Sequence, residues 1–126
     1  MSDFVVLVCG GRDYRNLYCI HTTLHDLHTK SRPITKIVHG SAKGADTYVG
    51  LWSKVFQIPY SSYPADWDKY GKAAGPIRNQ QMLDSEKVDL VVAFPGGKGT
   101  ANMISLARKA GIPVQIVEDQ TTDCPK

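Results

Sequence analysis

Phe94-Pro95-Gly96-Gly97-Lys98-Gly99-Thr100 follows Val88-Asp89-Leu90-Val91-Val92-Ala93, an apolar, β-branched run of the kind that forms a buried strand, and precedes a segment of helical composition. The pattern reads as strand, glycine turn, helix. At such a junction the first N–H groups of the helix have no intrahelical partner and point, with the positive end of the helix dipole, at whatever sits above the strand. An anion, most often a phosphate, is the natural occupant. Three glycines allow a close backbone approach that a Cβ would forbid, and Thr100 adds a hydroxyl at the helix start. A ligand-free tight turn has the same local pattern. A Walker A loop does not, because here Lys98 precedes the last glycine.

The same punctuation occurs twice upstream. Phe4-Val5-Val6-Leu7-Val8-Cys9 is a continuous apolar run, the mark of a central parallel strand covered on both faces, and it ends in Gly10-Gly11-Arg12-Asp13. From Asn16, the apolar residues Leu17, Ile20, Leu24 and Leu27 recur at spacings of three and four and predict a helix packed on the sheet. His21, His25 and His28 then face elsewhere. No acidic or Cys partner is placed with them, so the spacing favours a solvated helix face over a zinc site. Pro33 closes the helix, residues 34–38 form a second strand, and His39-Gly40-Ser41-Ala42-Lys43-Gly44-Ala45-Asp46 is a second glycine loop. Asp46 falls in the first turn of the next helix, where it either caps free N–H groups or accepts from a ligand hydroxyl. Ala45, Val49, Trp52 and Phe56 keep the helical period, which makes Trp52 a core anchor.

Residues 58–64 form a third extended segment whose prolines suit an edge. Residues 65–79 have no clean period. Pro76 at a first helical position predicts a helix to about Leu83, with Arg78 and Asn79 in its first turn. An arginine there is unfavourable with the helix dipole, so a forked contact to a phosphate or carboxylate better accounts for its placement. A fourth helix runs to about Ala110, stopped by Gly111, and Val114-Gln115-Ile116-Val117 is a fifth strand. Strands and helices alternate throughout. That demands right-handed crossovers and predicts an α/β, Rossmann-like, three-layer sandwich with a five-stranded parallel sheet in the order 3-2-1-4-5. In this order the chain reverses direction between strands 1 and 4, so the Gly10 and Gly96 loops lie side by side where such folds bind ligands.

A chain of 126 residues is expected to form one domain, residues 1–117, with a polar tail over 118–126. The net charge of +3 is spread among acids and bases, which permits an anionic small ligand and argues only weakly for nucleic acid. Three cysteines without C-x-x-C spacing and no long apolar run predict a protein of the reducing cytoplasm with no membrane partner. Cys9 reads as core filler rather than a nucleophile.

Gly10-Gly11-Arg12-Asp13, the residue 39–46 loop, the residue 67–79 segment and Phe94-Pro95-Gly96-Gly97-Lys98-Gly99-Thr100, in this order, resemble the SLOG superfamily, and most closely its small single-domain YspA/YpsA-related branch. The superfamily takes in the SMF/DprA DNA-processing proteins and the LOG phosphoribohydrolases. The resemblance implies a Rossmann-like domain that binds a nucleotide or nucleotide-derived ligand, as a sensor in some branches and as an enzyme in others. The LOG branch is similar in a P-G-G-x-G-T-x-x-E signature, in which the glycines bind phosphate and the glutamate serves glycosidic cleavage. Here Met103 stands at the glutamate position, and a thioether neither stabilises an oxocarbenium ion nor activates water.

The candidate ligand-binding residues are therefore Gly10, Gly11, Arg12 and Asp13 in the first loop and Gly40, Ser41, Lys43, Gly44 and Asp46 in the second. Arg78 and Asn79 join them, with Pro95, Gly96, Gly97, Lys98, Gly99 and Thr100 in the last loop. The leading expectation is binding or sensing of a phosphate-bearing nucleotide derivative without a metal or further cofactor. The alternatives are a LOG-like nucleoside-monophosphate N-glycosidase, with Asp13 or Asp46 as the weak catalytic candidates, and single-stranded DNA binding through Trp67 and Tyr70 beside Lys69 and Lys72. A homo-oligomer is expected from the resemblance.

Overall fold

The structure is a computed structural model that describes residues 3–11, 14, 16–31, 33–40 and 45–117, without the side chains of residues 45–47. Five parallel strands, β1 (Val5–Cys9), β2 (Lys36–His39), β3 (Tyr60–Ser62), β4 (Leu90–Ala93) and β5 (Val114–Ile116), form one sheet in the order β3-β2-β1-β4-β5. β1 lies at its centre, with Val6 opposite Ile37 of β2 on one side and Leu90 of β4 on the other. Its apolar run is continuous because both faces are covered. Val6 and Val8 pack with Ile20 and Leu24 of α1 (Leu17–Asp26) and Val49 and Trp52 of α2 (Ala45–Val55). Val5 and Leu7 pack with Met82 of α4 (Ala74–Ser85) and Met103 and Ala107 of α5 (Lys98–Lys109).

This is the α/β Rossmann-like sandwich that strand–helix alternation predicts. Loops at the strand ends are stitched to it by long-range hydrogen bonds: Asp89 Oδ2 accepts from the Val5 N–H at 2.9 Å and Thr35 Oγ1 from that of Phe4 at 2.8 Å. Gly111, at φ +77°, closes α5 in the left-handed conformation that a C-terminal stop requires.

Several local features differ from expectation. Leu17, expected on the packed face, is 53% exposed where it opens α1 immediately after the Asn16 cap, whereas Cys19 and Ile20 are buried. α1 continues as a π-helical turn over Leu27–Ser31. The histidines are not a simply solvated face. His21 and His25 stack on each other and lean on Phe56, and His28 meets Trp52 edge-on while its Nδ1 accepts from the Ile34 N–H at 2.9 Å. Residues 67–73 are helical, as α3 (Trp67–Tyr70) and a 3-10 turn (Gly71–Ala73), and α4 starts at Ala74 instead of Pro76. Asp66 caps α3 by accepting from the Lys69 N–H, and Pro76 sits at the third helical position, where no intrahelical donor is lost. α4 then runs two residues past Leu83 to Ser85.

Candidate functional site

Where β1, β2 and β4 end, their loops form a cleft of about 1100 Å³. On its floor the first and last glycine loops touch. The Gly11 N–H donates to the Pro95 carbonyl at 2.9 Å and the Phe94 N–H to the Cys9 carbonyl at 2.8 Å. A Cβ on Gly11 would stand 3.0 Å from Gly96 Cα, and one on Gly96 would stand 2.7 Å from the Gly11 nitrogen and overlap Thr100 Oγ1. Neither position has room for a side chain. Tyr14, stacked on Phe94 with ring centroids 5.6 Å apart, supports this junction from the core side.

The glycines farther along the turn differ. Gly97 and Gly99 have open space where a Cβ would stand, so packing does not require glycine at either position. Gly97 precedes α5 without a side-chain cap, and the first turn of α5 carries no acidic residue. The first helical bond runs from the Ala101 N–H to the Gly97 carbonyl at 3.1 Å, which leaves the N–H groups of Lys98, Gly99 and Thr100 without an intrahelical acceptor.

α4 supplies the second wall. Gly75, Asn79 and Met82 are buried along one stripe at helical spacing, and Arg78 flanks it. The Arg78 guanidinium donates from Nη1 to the carbonyls of Gly40 at 2.6 Å and Tyr63 at 3.2 Å, and from Nε to Asn79 Oδ1 at 3.0 Å. A Cβ on Gly40 would overlap that guanidinium. Arg78 thus joins the ends of β2 and β3 to α4 while it lines the cleft. Asn79, 3% exposed, carries the link onward: its Nδ2 donates to the Gly99 carbonyl at 3.2 Å and to Asn102 Oδ1 at 3.0 Å.

Of the residues singled out in the sequence, Gly10, Gly11, Gly40, Arg78, Asn79 and residues 95–100 line this one cleft. Arg12, Asp13, Ser41, Lys43 and Gly44 lie outside the described residues, as do the side chain of Asp46 and the 118–126 tail. Trp67, Lys72 and Asn102 line the cleft without having been expected as ligand contacts of this site. Asn102 falls in the unspecified part of the P-G-G-x-G-T-x-x-E pattern, and Trp67 and Lys72 fall where no periodicity marked a helix, so only the mixture of aromatic and basic residues signalled them. Cys9, expected as core filler, packs half-buried against the core cluster of Val5 and Leu7 and also borders the cleft.

Among the described lining residues, Lys72, Arg78 and Lys98 are cationic and none is acidic. Met103, at the signature glutamate position, is 0% exposed in the core cluster beneath α5, so that position brings no functional group to the cleft. Just outside the lining, His39 is buried and stacked on Tyr60, and burial holds its pKa below the ordinary value. Glu86 is subject to opposing effects. Burial raises its pKa, but hydrogen bonds from Lys36 at 2.7 Å and Tyr63 at 2.5 Å and the Lys36 charge outweigh this and hold it below its ordinary value. The bond to Glu86, with some burial, raises the pKa of the Tyr63 phenol in turn. No three His, Cys, Asp or Glu side chains among the described residues gather as a metal site, and no helix among them is long and apolar enough to cross a membrane.

Comparison with known proteins agrees with this architecture. A protein of the phototrophic bacterium Rippkaea orientalis, described as a molybdenum cofactor binding protein, has a similar structure with a TM-score of 0.67. It is 17% identical, over 97% of this chain and 80% of its own. The Gene 61 protein of Mycobacterium phage D29 is 34% identical over 116 residues, covering 86% of this chain and 92% of its own. The model of the YspA, cpYpsA-related SLOG family matches residues 4–70, from the start of the first strand to the end of α3. The chain belongs to the YspA, cpYpsA-related SLOG family.

Proposed function

We propose that the cleft binds or senses a phosphate-bearing nucleotide or nucleotide-derived small molecule, with its anionic group against the turn between β4 and α5. One observation carries this reading: an uncapped, acid-free helix start opens onto a cleft with three cationic side chains and none acidic among its described lining. Backbone N–H groups of Lys98, Gly99 and Thr100 would meet the anion, Gly97 and Gly99 would leave it room, and Lys98 would neutralise it. Arg78 and Asn79 would hold the opposite wall in register, and Gly10, Gly11, Gly40, Pro95 and Gly96 would form the floor. Arg12, Asp13, Ser41, Lys43, Gly44 and Asp46 remain part of the proposed site by their place in the sequence motifs. The structural neighbour's description, as a cofactor-binding protein, supports small-molecule binding on this fold.

Mass spectrometry of purified protein incubated with a nucleotide-rich extract tests the proposal. An intact nucleotide derivative released only on denaturation is expected. Free base and sugar phosphate accumulating in the flow-through would overturn it in favour of glycosidic cleavage, and retention of single-stranded oligonucleotide alone, lost steeply with salt, would overturn it in favour of DNA binding. A homo-oligomer belongs to the same proposal, supported by the exposed apolar residues Tyr18, Leu51 and Val55 on α1 and α2, and light scattering measures it.

A further inference from the structure

We infer that Trp67 is the platform on which a planar heteroaromatic ring of the ligand stacks, an inference that rests on the anion-binding reading above and specifies the other end of the same cleft. The two tryptophans of the chain have opposite surroundings. Trp52 is 6% exposed in the core, whereas Trp67 is 52% exposed and forms part of the cleft wall. An indole left half open in a concave site is apolar area that a planar group can cover.

The tip of the indole lies near the start of α4, where Gly75 also lines the cleft: a Cβ on Gly75 would stand 3.5 Å from Trp67 Cη2. Asp66 caps the short helix that carries it. The neighbouring Tyr70 has its ring covered differently, with Lys69 Nζ 5.2 Å from the centroid, and it does not line the cleft.

The chemistry of the ring follows from the charges. Among the described lining residues the charges are Lys72, Arg78 and Lys98, all positive, which disfavours a cation over the indole and leaves a neutral π-system as the partner. At about 1100 Å³ the cleft is slightly larger than the usual range for small-molecule sites, far more than a phosphate alone fills. A ligand with an anionic group at the α5 turn and a neutral aromatic ring at Trp67 uses both walls.

Calorimetric titration of the whole protein with AMP, GMP, CMP, UMP, ribose 5-phosphate and inorganic phosphate tests this. Stacking on an aromatic side chain is worth enough that at least one nucleoside monophosphate is expected to bind about ten- to hundredfold more tightly than ribose 5-phosphate. Trp67→Ala is expected to reduce that nucleotide to the affinity of ribose 5-phosphate and leave ribose 5-phosphate binding as it was. Trp67→Phe is expected to retain most of the difference, and an unchanged thermal transition in both variants shows that the fold is intact.

Equal binding of nucleotides and ribose 5-phosphate to the wild type would overturn the stacking role and leave the anion site standing. Equal losses for both compounds in Trp67→Ala would do the same, because the indole would then serve the sugar phosphate or the shape of α3. Failure of every probe, inorganic phosphate included, would overturn the anion site and the stacking role together.

Discussion

The two walls of the cleft are built in opposite ways. The β4–α5 wall rests on backbone: in the floor at its foot Gly11 and Gly96 meet with no room for a Cβ, main-chain hydrogen bonds at 2.8 and 2.9 Å tie the loops, and the central strands lie directly below. The α3–α4 wall is held by side chains: Arg78 reaching two carbonyls, Asn79 reaching Gly99 and Asn102, and a four-residue helix with an exposed tryptophan. A backbone-built wall has fixed geometry and suits a group common to many ligands, such as a phosphate. A wall of side chains can change its specificity by one substitution, but a side chain that also braces strand ends, as Arg78 does, carries local order with it. The contrast predicts that mutations on the first wall divide sharply by position, whereas those on the second wall change binding and local order together.

The largest effect is expected at Gly96. A methyl group there overlaps Thr100 Oγ1 and meets the Gly11 nitrogen, which donates to the Pro95 carbonyl at 2.9 Å, so relieving the clash strains that hydrogen bond. Gly96→Ala should cost about 1–3 kcal/mol of stability, as overpacking does elsewhere. The adjacent Gly97→Ala has open space and should change stability by less than about 0.5 kcal/mol while weakening binding of a phosphate compound. Urea denaturation of the two variants side by side measures the division. Equal stabilities would mean that the Gly11–Gly96 contact is not a fixed junction.

Arg78→Ala is the corresponding test of the second wall. The charged guanidinium braces the wall opposite the anion, and hydrogen bonds from charged groups are worth roughly 1.5–3 kcal/mol, so losing the brace should lower binding of a phosphate compound about ten- to hundredfold by calorimetry. Because Nη1 holds the Gly40 and Tyr63 carbonyls, amide exchange at the ends of β2 and β3 should also quicken. Arg78→Lys should not restore the order, since one ammonium does not reproduce the guanidinium fork. Loss of affinity with unchanged exchange would make Arg78 a ligand contact and not a brace.

The two walls also differed in how far the sequence revealed them. The first wall is local. An apolar strand run, a glycine turn and a helical period lie within one window, and continuous apolar runs identify β1 and β4 as central, from which the order 3-2-1-4-5 follows. The second wall is assembled from distant positions. Nothing near Arg78 announces that its partners are the carbonyls of Gly40 and Tyr63, 38 and 15 residues away, and Asn79 finds Asn102 across 23.

Residues 67–73 hid their helix for a related reason. Two short helical pieces broken at Gly71, φ +56°, are too brief to show a period, and Pro76 drew the expected start of α4 two residues too late. Leu17 matched an apolar period yet faces solvent, because period alone does not say which end of a stripe overhangs the sheet. Met103 is a different case. Its departure from the glutamate pattern was plain in the sequence, and its burial shows that a thioether there serves the core.

The smallest expected effects concern the outer supports of the second wall, and pH separates them. Buried His39 has a pKa below its ordinary 6.5, so the unfolded chain takes up a proton that the folded one resists. Its stabilising contribution is present above that value and is lost as pH falls from 6.5 toward the folded pKa. Glu86, whose carboxylate accepts from Tyr63 and pairs with Lys36, has a folded pKa below 4.5. Its contribution is present above 4.5 and is lost as pH falls further, through the folded value.

Stability measured against pH should therefore decline in two steps. His39→Gln should remove the upper step and Glu86→Gln the lower, with Glu86→Gln costing about 0.2–1 kcal/mol at neutral pH, as a partly exposed ion pair does. Through the Tyr63 carbonyl, which accepts from Arg78, the lower step should also appear in binding, as an affinity that falls below pH 4.5 in the wild type and is already reduced in Glu86→Gln at pH 7. An affinity indifferent to Glu86→Gln would confine that network to stability and leave Arg78 and Asn79 as the whole support of the second wall.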